Sequence, residues 1–207
     1  MQTENDDALL QSMRDICGRR SNLKHCPELI PMPVSQALVT ASVAQDYQHL
    51  FLYRCDPIPR ILSLEYAQRT NAWGPGQTPQ GDSADSSTAF DAALDIKAIL
   101  THEATAHTRL NQSWQALLEA GVSPIALSFE ELYLATPDNA RQSLIYMLAG
   151  LDMVLPAEQI DTLLQRLRGT GNQNTRNRYD QFRQIDQLKQ RIGDLPQLIF
   201  HSDPAPA

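Results

Sequence analysis

The sequence predicts an α/β fold, rich in helix, in which helices cover a parallel sheet, and three observations carry that expectation. Leu50-Phe51-Leu52-Tyr53 and Pro124-Ile125-Ala126-Leu127-Ser128-Phe129 are short apolar runs of the kind seen in buried parallel strands. Longer segments with apolar residues at helical spacing flank both runs. With a further short strand expected at 22–25, the order is strand–helix–strand–helix–loop–helix–strand–helix, the alternation that parallel sheets require. Three strands are fewer than such a sheet normally has.

Each element has a local reason. Leu9, Leu10, Met13, Ile16 and Cys17 mark an apolar stripe on a helix over 6–18, and Gly18 suits its C-cap. Residues 34–46 read as a small-residue amphipathic helix introduced by Pro31 and Pro33. After the strand at Leu50–Tyr53, Asp56 is a good N-cap and Pro57 takes the first helical position, where its missing N–H costs nothing. That helix runs through Ile61, Leu62, Leu64 and Ala67 to about Asn71. Residues 74–88, rich in Gly, Pro, Ser, Thr and Asp, form a surface loop. The longest helical pattern covers 90–120, with Leu94, Leu100, Leu110, Trp114, Leu117 and Leu118 on its apolar face, and Gly121 ends it. Helices follow at 137–148, 158–167 and 185–192, with a polar loop at 169–177. The expectation is one domain over 1–207 with a disordered tail at 202–207.

Composition narrows the function. A net charge of −7 argues against a nucleic-acid or anionic-membrane surface. No apolar stretch is long enough to cross a membrane, and the acidic, polar start is no signal peptide, so a cytoplasmic location is expected. Cys17, Cys26 and Cys55 are odd in number and lack metal-ligand spacing; they read as reduced thiols. His102 and His107 resemble a zinc-protease pair but are five residues apart, roughly 140° around a helix, so no metal is expected. His49 and His201 read as surface residues.

One junction points to anion binding. Arg54 lies at the carboxyl end of a strand and beside a helix start, the edge where open α/β sheets bind ligands and where helix N-termini favour anions. Pairing of Arg54 with Asp56 or Glu65 is the competing reading of the same residues. Between Gln165 and Arg191 an acidic chain also carries a local excess of arginine, either a solvated face or a second cationic contribution. Trp73 and Trp114 could each stack on a base, although Trp114 fits a core position better.

The run Arg54-x-Asp56 with Ser63 seven residues on, followed by Gln68-Arg69-Thr70-Asn71-Ala72-Trp73, resembles sulfotransferases that use 3′-phosphoadenosine-5′-phosphosulfate. The closer branch is bacterial and carbohydrate-directed, of the trehalose type. Ser128-Phe129-Glu130-Glu131-Leu132 resembles the family's Tyr-Glu-Asp-Leu strand end, with Phe129 and Glu131 in place of the usual Tyr and Asp. Gly150-Leu151 and residues 172–179 extend the likeness, which covers about 24–200. The resemblance implies a P-loop-NTPase-like fold, a nucleotide sulfate donor and a hydroxyl acceptor. It assigns Arg54 and Ser63 to the donor's 3′-phosphate, with Arg176 and Arg178 as further basic groups there. Lys24 and His25 resemble the family's Lys-x-His strand end, which supplies a cation for the sulfonate and a base for the acceptor hydroxyl. Here the two are adjacent, so a strand would point them to opposite faces.

The family opens with a strand, a phosphate loop and a helix that hold the 5′-phosphosulfate, and residues 1–20 show no such pattern. The expectation is a domain truncated at its N-terminus. Three readings stay open: an active sulfotransferase, a degenerate relative that binds a 3′-phosphorylated nucleotide, and a helical protein-interaction module. An absent first strand would also leave a sheet edge through which a homo-oligomer could form.

Overall fold

A computed structural model describes residues 2–73, 90–169, 180–198 and 200. The expected loop at 74–88, residues 170–177 of the second loop and the tail at 202–207 lie outside the described residues. The chain divides into two compact units, one of Met1–Phe51, Glu103–Ala126 and Pro196–Ala207, the other of Leu52–His102 and Leu127–Leu195.

In the first unit α1 (Gln2–Cys17) packs on α2 (Met32–Val43). Cys17 is buried where α1 ends, and the Tyr47 hydroxyl lies 3.0 Å from both the Cys17 and the Ser21 carbonyl oxygens, fastening the chain as it leaves the helix. Residues 22–25 do not form the expected strand. Asn22, Leu23 and Lys24 are exposed, and a run of four with Leu23 as its one apolar residue has little apolar face to bury. The long helix α4 (Ile96–Glu119) brings Trp114 edge-on to Phe51, with ring centroids 5.3 Å apart, and 5.2 Å from Phe200. Gly121, at φ 77°, closes α4 in a Schellman turn: Val122 N–H donates to Leu117 O and Gly121 N–H to Leu118 O, both at 3.0 Å. The helix starts six residues later than its apolar pattern suggests because Asp95 caps it, accepting from Ala98 N–H at 3.0 Å.

Strands β1 (Leu50–Tyr53) and β2 (Ile125–Ser128) form a parallel two-stranded sheet. The β2 strand is buried throughout, as expected. The β1 strand is not, since Leu50 and Leu52 are 41% and 54% exposed while Phe51 and Tyr53 are half-buried.

In the second unit, α3 (Pro57–Thr70) starts at the Asp56 cap, whose Oδ1 accepts from Ile58 N–H at 3.0 Å, and ends at Asn71 in the left-handed region. Ile61 and Leu62 of α3 pack with Phe90, Leu94 and Phe182 and with Leu188 of α7 (Ile185–Arg191). A second cluster joins Leu127 and Leu132 to Leu144 and Leu148 of α5 (Pro137–Gly150) and to Ile160 and Leu164 of α6 (Ala157–Gly169). No helix among the described residues is long and apolar enough to cross a membrane.

Candidate functional site

The carboxyl ends of two parallel strands fall on one edge of a sheet, so the residues that follow them become neighbours. Arg54 follows β1 and Phe129 follows β2, and the Arg54 guanidinium carbon stands 3.9 Å from the centre of the Phe129 ring. Phe129 in turn stacks on Tyr133, with centroids 4.4 Å apart and planes 19° from parallel. A guanidinium over an aromatic face is held by the ring's quadrupole as well as by dispersion.

Glu130 closes the junction between β1 and α3. Its carboxylate accepts from Cys55 N–H at 3.0 Å and from Asp56 N–H at 3.4 Å. Ile58 N–H is taken by the Asp56 side chain, and Pro57 and Pro59 have no N–H. Every backbone donor from Cys55 to Pro59 is therefore either engaged or absent. That corrects the expectation that the helix start itself offers a cradle for an anion. Arg54 is half-buried at this edge, and Ser63 is half-buried on α3. Glu65 pairs with Arg69 at 3.1 Å.

The protonation states around Arg54 are set by burial and by acids. Burial, with Cys55, Glu131 and Glu130 close by, pushes the Tyr53 hydroxyl up to about 12. Burial also raises the Cys55 thiol; the Ser128 hydroxyl partly offsets this, and Glu130 and Glu131 add to it. Both groups keep their protons at neutral pH. Ser128 and Glu131 exchange bonds, Ser128 N–H to the Glu131 carboxylate at 2.7 Å and Glu131 N–H to Ser128 Oγ at 3.1 Å. This capping box was available in the sequence as Ser128-x-x-Glu131.

Lys24 and His25 belong to the first unit. Lys24 is exposed, and His25 is half-buried with Nε2 3.0 Å from Ser35 Oγ. Burial holds the His25 ring below the ordinary 6.5, with Glu28 pulling the other way. Their backbone is not a strand, so the argument about opposite faces does not apply. His49, expected at the surface, is half-buried with Nε2 2.9 Å from Ser42 Oγ, and burial lowers its proton affinity too. Arg176, Arg178 and His201 lie outside the described residues. His107 is buried with Nδ1 2.6 Å from the Pro196 carbonyl oxygen, His102 is exposed, and no group of three or more His, Cys, Asp or Glu among the described residues is placed to hold a metal. Trp114 is core, while Trp73 is 57% exposed and donates to Asn71 Oδ1 at 3.1 Å. An open groove of about 480 Å³ on α2 and α4 is lined largely by the amides of Gln36, Asn111, Gln112 and Gln115 and holds none of the candidate residues.

The family model described as Stf0 sulphotransferase matches residues 12–184. The chain belongs to the Stf0 sulphotransferase family. No curated protein and no solved structure matches it. The stretch matched by the sulphotransferase model contains Lys24, His25, Arg54, Ser63, Arg176 and Arg178, and it includes the Phe129–Glu131 segment that surrounds Arg54.

Proposed function

We propose that this sulphotransferase-family chain transfers a sulfonate group from 3′-phosphoadenosine-5′-phosphosulfate to a hydroxyl of a carbohydrate or other small acceptor, as in the trehalose-type branch. The observation that carries this reading is the Arg54-x-Asp56 junction with Ser63 on the following helix, set at a parallel strand end inside the family-matched stretch. In this reading Arg54 and Ser63 bind the donor's 3′-phosphate, and Arg176 and Arg178 add positive charge to it. A new bond forms between the acceptor oxygen and sulfur as the bond from sulfur to the bridging oxygen breaks. Adenosine 3′,5′-bisphosphate leaves. His25 is the candidate to take the acceptor's proton, and its lowered proton affinity keeps the ring neutral at neutral pH, as a base must be. Lys24 is the candidate cation for the charge that develops on the bridging oxygen.

A second reading, nucleotide binding without transfer, is favoured by the contact that already occupies His25 Nε2 at Ser35 Oγ. The two separate on transfer of isotope-labelled sulfonate from the donor to a panel of sugars and small alcohols. Labelled acceptor, diminished in Arg54→Ala and His25→Ala, is the expected result. Nucleotide binding with no labelled product would establish the second reading instead.

A further inference from the structure

Arg54 is a flexible side chain, and a guanidinium that must meet a phosphate gains from being held before the ligand arrives. We propose that Phe129 is a positioning residue for Arg54, and that this aromatic platform makes the site selective for the 3′-phosphate. The inference rests on the reading that Arg54 meets that phosphate. Three observations support it. The Phe129 ring lies under the guanidinium at 3.9 Å, close enough to fix its plane. Phe129 is itself fixed, by stacking on Tyr133 and by the Ser128–Glu131 cap on the turn that carries it. Glu130, the next residue, ties the same turn to the backbone N–H groups of Cys55 and Asp56, directly after Arg54, so ring and guanidinium are referenced to one junction.

The backbone donors strengthen the argument. Those from Cys55 to Pro59 are engaged or absent, so a helix-start cradle cannot substitute for a misplaced Arg54. The orientation of one guanidinium then decides how well a phosphate is met. An aromatic face suits this role better than a carboxylate partner would. A ring under the guanidinium holds its plane without itself occupying the N–H edge, and a phosphate accepts in the plane of that fork.

The test compares adenosine 3′,5′-bisphosphate with adenosine 5′-monophosphate, which lacks the 3′-phosphate, on wild type, Phe129→Leu and Phe129→Tyr, with circular dichroism to check the fold. In Phe129→Leu, affinity for the bisphosphate should fall by about fivefold or more, as loss of a cation–π contact implies. Affinity for the monophosphate should stay within about twofold, a margin below any such contact. Phe129→Tyr should restore the selectivity. Proton NMR gives a readout without nucleotide, since the Arg54 Hε resonance should lose its ring-current shift in the leucine variant. Equal loss for both nucleotides would mean a merely structural role and overturn the proposal, as would an unchanged preference for the bisphosphate. A wild type that binds neither nucleotide would overturn the reading of the half-site and this role together. Normal wild-type selectivity with an unmoved Phe129→Leu overturns only the role of Phe129.

Discussion

Next to Arg54, Glu130 and Asp56 have claimed the neighbouring N–H groups and two prolines have removed others, so in the proposed site the phosphate is met by side chains. Arg54→Ala should therefore weaken adenosine 3′,5′-bisphosphate binding by about tenfold or more, the loss expected for a charge-assisted bond of about 1.5–3 kcal/mol, with the circular dichroism spectrum of the folded chain retained. Arg54→Lys should recover little of it, since an ammonium has neither the fork for phosphate nor the plane for Phe129. Isothermal titration of both variants checks this. Cys55 makes a second residue-scale prediction. With its thiol raised by burial and by Glu130 and Glu131, alkylation at neutral pH should be slow, and Glu130→Gln should speed it. Mass spectrometry over a time course decides it, and an unchanged rate would contradict the electrostatic account. Arg54 and Asp56 were legible because strand end, cap and prolines are local signals. Glu130 was not, because its partners lie 74 and 75 residues away and only the pairing of β1 with β2 joins them.

The elements that formed as expected are those with caps written into them. Asp56 with Pro57 starts α3, and Thr136 with Pro137 starts α5. Asp95 explains the late start of α4, and an N-cap signal next to an apolar stripe outranks the stripe's full length. The segment 22–25 failed as a strand because a short run with one apolar residue is made a strand only by a paired neighbour, which sequence alone does not reveal. The exposed leucines of β1 show the same limit, since burial of a four-residue strand is decided by what covers it. The turn after β2 yields a prediction at this scale. Ser128→Ala should cost about 1 kcal/mol of stability through loss of the cap, and Phe129→Tyr should not share that cost. Thermal unfolding followed by circular dichroism checks it; an unshifted transition in Ser128→Ala would remove the capping box from the account.

Across the whole molecule, the two half-buried histidines of the first unit couple stability to pH. Burial holds His25 and His49 below the ordinary value of 6.5 in the folded chain. As pH falls through 6.5 the unfolded chain takes up protons that the folded chain resists. Stability is therefore whole above that value, and is lost until pH passes the folded values. The melting temperature should fall from about pH 7 to pH 5, and fall less in His49→Gln. A flat profile, or equal profiles, would contradict it. Family membership was legible from the Arg54-x-Asp56…Ser63 spacing, whereas the roles of Lys24 and His25 depend on chemistry that spacing does not reach. In the proposed function, Arg54 and Ser63 make half of a nucleotide site. Calorimetric titration of the full chain with adenosine 3′,5′-bisphosphate tests it most directly. Saturable binding in the micromolar range, lost in Arg54→Ala and weakened in Ser63→Ala, is the expected outcome. No heat of binding at millimolar nucleotide, or equal affinity in wild type and Arg54→Ala, would contradict it.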